Sequence, residues 1–215
     1  MDPRMTNRTN ALIICNGPLP PRRRIAPLIA GDTLIICADG GANRALARGI
    51  IPHLIIGDLD SLTPRTAAAL QQVQKIRVED QNSTDLAKAL EYLVQRGVGR
   101  AAVIGATGRR PDHELANFSI LAKYHSRLEV TFVDAWCRMQ IIDRTVQLPL
   151  KPGTTLSLMP LGKCEGITTR GLAWPLNNET LELGVREGNS NRVTASPVEI
   201  SLMRGKLLLF IVDRN

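Results

Sequence analysis

Six aspartates of this 215-residue chain sit where apolar runs stop. Asp39 follows TLIICA, Asp58 and Asp60 follow HLIIG, Asp80 comes just after KIRVE, Asp85 falls in the first turn of the helix that comes next, and Asp112 opens the helix after RAAVIGA. The pair in GDLDSL (57–62) is the sharpest feature. In extended backbone, side chains at i and i+2 point to the same side, so Asp58 and Asp60 are expected to face one way together. Like charges that close repel, and the arrangement calls for water, a cation or a functional reason. In a parallel sheet the strand C-termini share one edge, and ligands bind in the crevice there. Carboxylates far apart in the chain then converge. Each has an ordinary reading alone: Asp85 favours a helix dipole, Asp112 caps a helix, and Asp-x-Asp is a common turn. Together they suit Mg²⁺, which takes one or two carboxylates plus substrate phosphates. Asp58, Asp60 and Asp85 are therefore expected to ligate Mg²⁺, directly or through water.

Phosphates need donors. GATGRRPDH (105–113) places Gly105 and Gly108 between a strand and a helix, followed by Arg109 and Arg110. Glycine lets backbone approach a phosphate, a helix N-terminus attracts anions, and guanidinium forks fit phosphate oxygens. ADGGANRA (38–45), which starts beside Asp39, is a second glycine turn expected at the same edge. Neither GxxxxGK[ST] nor GxGxxG occurs, which excludes the P-loop and dinucleotide fingerprints. The residues point to a Mg²⁺-nucleotide enzyme with Asp39, Gly105, Gly108, Arg109 and Asp112 on the nucleotide side.

The elements that position these groups read as a mostly parallel three-layer α/β domain followed by a smaller all-β sandwich or barrel. Short apolar strands (11–15, 33–39, 53–58, 75–79, 100–106 and 128–135) alternate with helical segments, as in sheets covered on both faces. The clearest helix is TDLAKALEYLVQRG (84–97), with Leu86, Leu90, Leu93 and Val94 at helical spacing, Ser83 or Thr84 as cap and Gly97 as stop. Thr63-Pro64 opens another. Beyond about residue 143 prolines break the chain, and TTLSLMP, EGITTRG, TLELGV, PVEISLM and KLLLFIV read as strands. The expected domains are 10–143, binding ATP and metal, and 144–215, β-rich.

A net charge of +7 fits an anionic substrate, and the basic residues are not interleaved with aromatics as in a nucleic-acid face. Arg22-Arg23-Arg24 is either a solvated face or a steering patch for ATP. No apolar run approaches bilayer length and no secretory segment is evident, so no membrane and a cytoplasmic location are expected. The four cysteines lack CxxC spacing, which argues against zinc.

ADGGANRAL, GDLDSL, DQNSTDLAKAL and GATGRRPDHELAN, in this order, with GLAWPL (171–176) and GNSN (188–191) further on, resemble the thiamine pyrophosphokinase family. The resemblance implies transfer of the pyrophosphoryl group of ATP to the hydroxyl of thiamine, giving thiamine diphosphate and AMP, with Mg²⁺. It also implies a homodimer in which thiamine lies between the α/β domain of one subunit and the β domain of the other. By motif position it makes Asp58, Asp60 and Asp85 metal and catalytic carboxylates, and places Arg110 and Asp112 beside the nucleotide. The resemblance further implies that Gln81, Trp174, Ser190 and Asn191 line the thiamine pocket. Read without the family, Trp174 is a core residue or an aromatic platform for a cationic ring, and GNSN is a turn. The rivals are a pyrophosphokinase acting on a hydroxymethylpterin and a non-catalytic nucleotide- or thiamine-binding regulator.

Overall fold

The computed structural model describes residues 10–80 and 82–213 and divides between Ala135 and Trp136 into two compact units. The division falls before the strand Cys137–Ile142 rather than after it. The sequence placed that strand with the first domain, but its backbone pairs in antiparallel register with Leu207–Val212 near the end of the chain.

The first unit holds six parallel strands: β1 (Asn10–Ile14), β2 (Leu34–Ala38), β3 (Leu54–Gly57), β4 (Gln74–Arg77), β5 (Arg100–Ile104) and β6 (Glu129–Val133). Their order is β6-β5-β1-β2-β3-β4. The helices are α1 (Arg22–Ile25), α2 (Gly41–Ala47), α3 (Pro64–Ala69), α4 (Asp85–Gln95) and α5 (Pro111–Tyr124). Alternate strand residues Leu12, Ile14, Cys37, Ile55 and Ile104 form one core with Ala42, Ala45 and Leu70. α4 packs against β1, β2 and β3 and buries Leu86, Leu90 and Leu93, the stripe that its periodicity predicted. Its cap is Thr84, whose hydroxyl accepts from Ala87 N. Ser83 Oγ instead donates to Asp80. Thr63 caps α3 ahead of Pro64, as expected.

The second unit is a sandwich of antiparallel strands: β7 (Cys137–Ile142), β8 (Val146–Leu148), β9 (Thr155–Pro160), β10 (Lys163–Arg170), β11 (Glu179–Glu182), β12 (Gly188–Arg192), β13 (Val198–Ser201) and β14 (Leu207–Val212). One layer runs β12-β9-β14-β7 and the other β11-β10-β13-β8. Leu156, Leu158, Ile167, Leu181, Ile200 and Leu209 lie in the core between them. Among the described residues no helix is long and apolar enough to cross a membrane.

Cys15, Cys37 and Cys164 are buried and Cys137 is half-exposed. Burial, with the Asp85 charge nearby, pushes the Cys15 thiol up to about 12, and only the thiolate reacts. A thiol reagent at pH 8 is therefore expected to label one cysteine per native chain promptly, at Cys137, and the other three on denaturation. Peptide mapping of the labelled protein checks this; prompt labelling of all four would contradict the packing.

Candidate active site

Strand order reverses between β1 and β5, so the loops after these strands leave in opposite directions and open a crevice. A cavity of about 390 Å³ lies there, lined by Asn16 and Gly17 after β1, Asp39 and Gly40 after β2, and Gly105, Ala106 and Thr107 after β5. The loops after β1 and β5 cross closely: Gly17 N donates to Gly105 O at 2.8 Å. A Cβ on Gly105 would stand 2.6 Å from Cys15 O, so the crossing requires glycine. α2 starts against the same strand end, where a Cβ on Gly41 would collide with Ile14 O. Gly41 of ADGGANRA thus serves helix-to-strand contact, while Gly40 lies against the Asn16 side chain.

The acidic group forms at this edge. Asp39, Asp58 and Asp60 each bring a carboxylate oxygen within 4.8 Å of the others. The pair in GDLDSL meets by a route other than strand alternation. β3 ends at Gly57, and Leu59 is left-handed with φ 69°, so Asp58 and Asp60 flank a turn in which Asp58 Oδ1 accepts from Asp60 N at 3.3 Å. Asp39 is also left-handed, with φ 42°. Such backbone costs on the order of 1–3 kcal/mol for a non-glycine residue and clusters at functional sites. Asp39 is buried and its Oδ1 has no hydrogen-bond partner, a costly state for a carboxylate unless a cation or ligand meets it. Three converging hard oxygens with one orphaned in a cavity wall fit a divalent cation.

Asp85, at the start of α4, lines the same cavity. It stands outside the tight group, bonded through Oδ1 to Lys88 Nζ at 3.2 Å. Burial raises its pKa, Lys88 pulls it back, and the charges of Asp39 and Asp58 push it up further.

On the phosphate side, Arg109, Arg110 and Gly105 line the cavity. Arg109 Nη1 donates to Asn16 O at 3.3 Å, and Arg44 Nε donates to the same carbonyl at 3.1 Å. Arg110 is exposed and forms a two-bonded ion pair with Asp112, which holds Asp112 on the outside. Gly108, with φ 84°, donates its N–H to Glu114 Oε2 at 3.3 Å and so orders the loop. The sequence reading missed Asn16, Arg44, His113, Glu114 and Asn117. His113, Glu114 and Asn117 lie on one face of α5 at three- and four-residue spacing and line the cavity, a pattern that was available. Asn16 carried no signal until β1 and β5 were neighbours.

In the second unit, Trp174 is 61% exposed, which removes the core reading. It is clasped to Asn191: Trp174 N donates to Asn191 Oδ1 at 3.2 Å, and Asn191 Nδ2 donates to Trp174 O at 2.6 Å. Ser190 is left-handed, with φ 57°, and its N donates to Ser157 Oγ. GNSN, read as a turn, lies in β12, whose register to β9 shifts between Gly188 and Asn191. Gln81 lies outside the described residues.

Comparison with known proteins agrees with both units. Residues 25–132 match the family model of the thiamin pyrophosphokinase catalytic domain, and 140–207 match that of the thiamin pyrophosphokinase vitamin B1 binding domain. Thiamine pyrophosphokinase 2 of Oryza sativa subsp. japonica is 30% identical, over 88% of this chain and 81% of the relative. Thiamine pyrophosphokinase of Bacillus subtilis (strain 168) is 26% identical, over 92% and 95%. A crystal structure of the enzyme from Bacillus subtilis superposes with a TM-score of 0.86 at 25% identity, covering 96% of this chain and 100% of the other. With two family models matched in order along most of its length, the chain belongs to the thiamin pyrophosphokinase family.

Proposed function

We propose that the cavity at the β1–β5 switch point is where this enzyme moves the pyrophosphoryl group of ATP to the hydroxyl of thiamine, giving thiamine diphosphate and AMP. The observation that carries the reading is the orphaned oxygen of Asp39 beside Asp58 and Asp60, facing a loop that carries Arg109 and Arg110. Asp58 and Asp60, with Asp39, would hold Mg²⁺, and Asp85 would meet it directly or through water. When bound, the ion neutralises phosphate oxygens and aligns the chain being transferred. Arg110 offsets charge that develops as the bond to the departing AMP breaks, and Asp112 keeps its guanidinium oriented. The hydroxyl oxygen attacks the β-phosphorus, AMP leaves, and the hydroxyl proton passes to one of the clustered aspartates, for which Asp85 is the candidate. The Arg44 and Arg109 guanidiniums, both donating to Asn16 O, hold the nucleotide loop in place.

Thiamine is cationic and flat, and the exposed Trp174 with Ser190 and Asn191 supports its recognition by the β unit. We carry the homodimer, with thiamine shared between the α/β unit of one copy and the β unit of the other, and a cytoplasmic location as parts of the same proposal. An aromatic face on a cation contributes up to about 2 kcal/mol, so Trp174→Ala should raise KM for thiamine by roughly 10- to 30-fold and leave KM for ATP within threefold. Steady-state kinetics with each substrate varied checks this, and an unchanged thiamine KM would remove Trp174 from the site.

Isotope transfer tests the reaction itself. ATP labelled at the γ-phosphorus should give labelled thiamine diphosphate, and ATP labelled at the α-phosphorus should give labelled AMP alone. Labelled ADP from the α-labelled nucleotide would mean single-phosphoryl transfer, and transfer only to a hydroxymethylpterin would change the acceptor.

A further inference from the structure

Lys88 has no role in the site as described, and its environment is unusual. It is the buried lysine of the first unit, with a side chain only 5% exposed. Lysine is almost never buried unless paired, because the ammonium is strongly hydrated. Its place on α4 makes this costlier. It lies in the first turn, where the helix dipole favours anions and opposes a cation. An ion pair at i,i+3 on a helix is weak, so the one it makes with Asp85 returns too little to the helix to offset the burial of an ammonium. Apolar packing gives no reason for it either, since alanine or leucine would fill the same turn without desolvating a charge.

What Lys88 touches is Asp85: among the described residues its hydrogen bond goes to Asp85 Oδ1, at 3.2 Å. The two residues open onto different spaces. Asp85 lines the cavity at the β1–β5 switch point, whereas Lys88 lines a separate cavity with Ile56, Asp80, Glu91 and Tyr92, where its charge also acts on Asp80 without a hydrogen bond to it. The ammonium thus reaches Asp85 from the side away from the cavity. Asp39 and Asp58 lie near enough for their charges to act on Asp85, and without a counter-charge the Asp85 carboxylate would be driven from them. Gly57 completes the support, because a Cβ there would stand 3.1 Å from Asp85 Oδ1 and 2.6 Å from Asp39 Cβ.

We propose that Lys88 is a positioning residue: its buried ammonium fixes one oxygen of Asp85 from behind and holds that carboxylate beside the acidic group against the repulsion of Asp39 and Asp58. The inference rests on the reading of this cavity as the pyrophosphoryl-transfer site. Supports of this kind, which orient a group that itself meets metal or substrate, typically carry 10- to 100-fold in activity.

The test compares Lys88→Met, which keeps the volume of the stem and removes the charge, with Lys88→Arg, which keeps the charge. Lys88→Met should lower kcat by about 10- to 100-fold with KM for Mg²⁺-ATP within threefold, and Lys88→Arg should recover part of the loss. In a crystal structure of the metal-free Lys88→Met protein, the Asp85 carboxylate should have left its place beside Gly57. If the methionine chain does not fold, Lys88→Gln takes its place. An unmoved Asp85 with kcat within threefold of the parent overturns the proposal, as does a rise in KM for ATP with kcat intact, which would make Lys88 a binding residue. A parent protein that forms no thiamine diphosphate would end the reaction assignment, and the position of Asp85 in the variant crystal would still decide the positioning claim.

Discussion

Asp58→Ala is expected to lower the rate of thiamine diphosphate formation by about 10²- to 10³-fold, the several kcal/mol that charge stabilisation by a bound metal supplies to a transition state. Asp58 is one of three carboxylates whose oxygens lie within 4.8 Å, and it also orders the turn by accepting from Asp60 N. The variant loses a ligand and the local geometry together, so added metal should restore little. Stability should move the other way. In the metal-free protein three like charges repel one another, and removing one relieves them, so the thermal midpoint is expected to stay level or rise. An activity loss without a stability loss is the signature of a site built at the expense of stability. The check is a rate measurement over a range of Mg²⁺ concentrations, paired with melting of the metal-free protein. Retention of activity within threefold would remove Asp58 from the metal site.

Gly41→Ala is expected to be the most damaging small substitution near the site. Its Cβ would collide with Ile14 O, a carbonyl at the end of the central strand β1, which is paired on both sides by β2 and β5. Backbone so placed cannot yield as a side-chain tip can. Overpacking costs about 1–3 kcal/mol, occasionally more, and the upper end applies here. For a chain of this size about 3 kcal/mol corresponds to a fall of roughly 6–12 °C in melting temperature. α2 would be pushed off the sheet, carrying Arg44 away from Asn16 O, so KM for ATP should rise as well. Thermal melting and nucleotide titration of the variant measure both effects. A melting temperature within 2 °C of the parent would show that α2 approaches β1 less closely than described.

Much of this was legible in the sequence because it was written in local patterns. The apolar runs of the first half became six parallel strands, and the periodicity of Leu86, Leu90 and Leu93 became the buried face of α4. Thr63-Pro64 and Thr84 fixed helix starts through short-range hydrogen bonds. The strand-end aspartates were expected at one edge, with Asp58, Asp60 and Asp85 as the metal set; the tight group instead joins Asp39 to Asp58 and Asp60 and leaves Asp85 outside it. What was not legible depended on long-range pairing. β7 and β8 carry no strong alternation and take their identity from partners far along the chain, β14 for β7 and β13 for β8. GNSN has turn composition but lies in β12 because β9 pairs with it across a register shift. Asp58 and Asp60 meet through the left-handed Leu59, a conformation that leucine does not announce. Asn16 and Lys88 entered the site only when loops and helix were placed beside one another.

The most direct measurement incubates the purified protein with thiamine, ATP and Mg²⁺ and follows AMP and thiamine diphosphate together. The account predicts that both form in equal amounts, that neither forms without thiamine, and that a chelator stops the reaction until Mg²⁺ is restored. Tight ATP binding without thiamine-dependent AMP, or products that form undiminished in the presence of chelator, would contradict it.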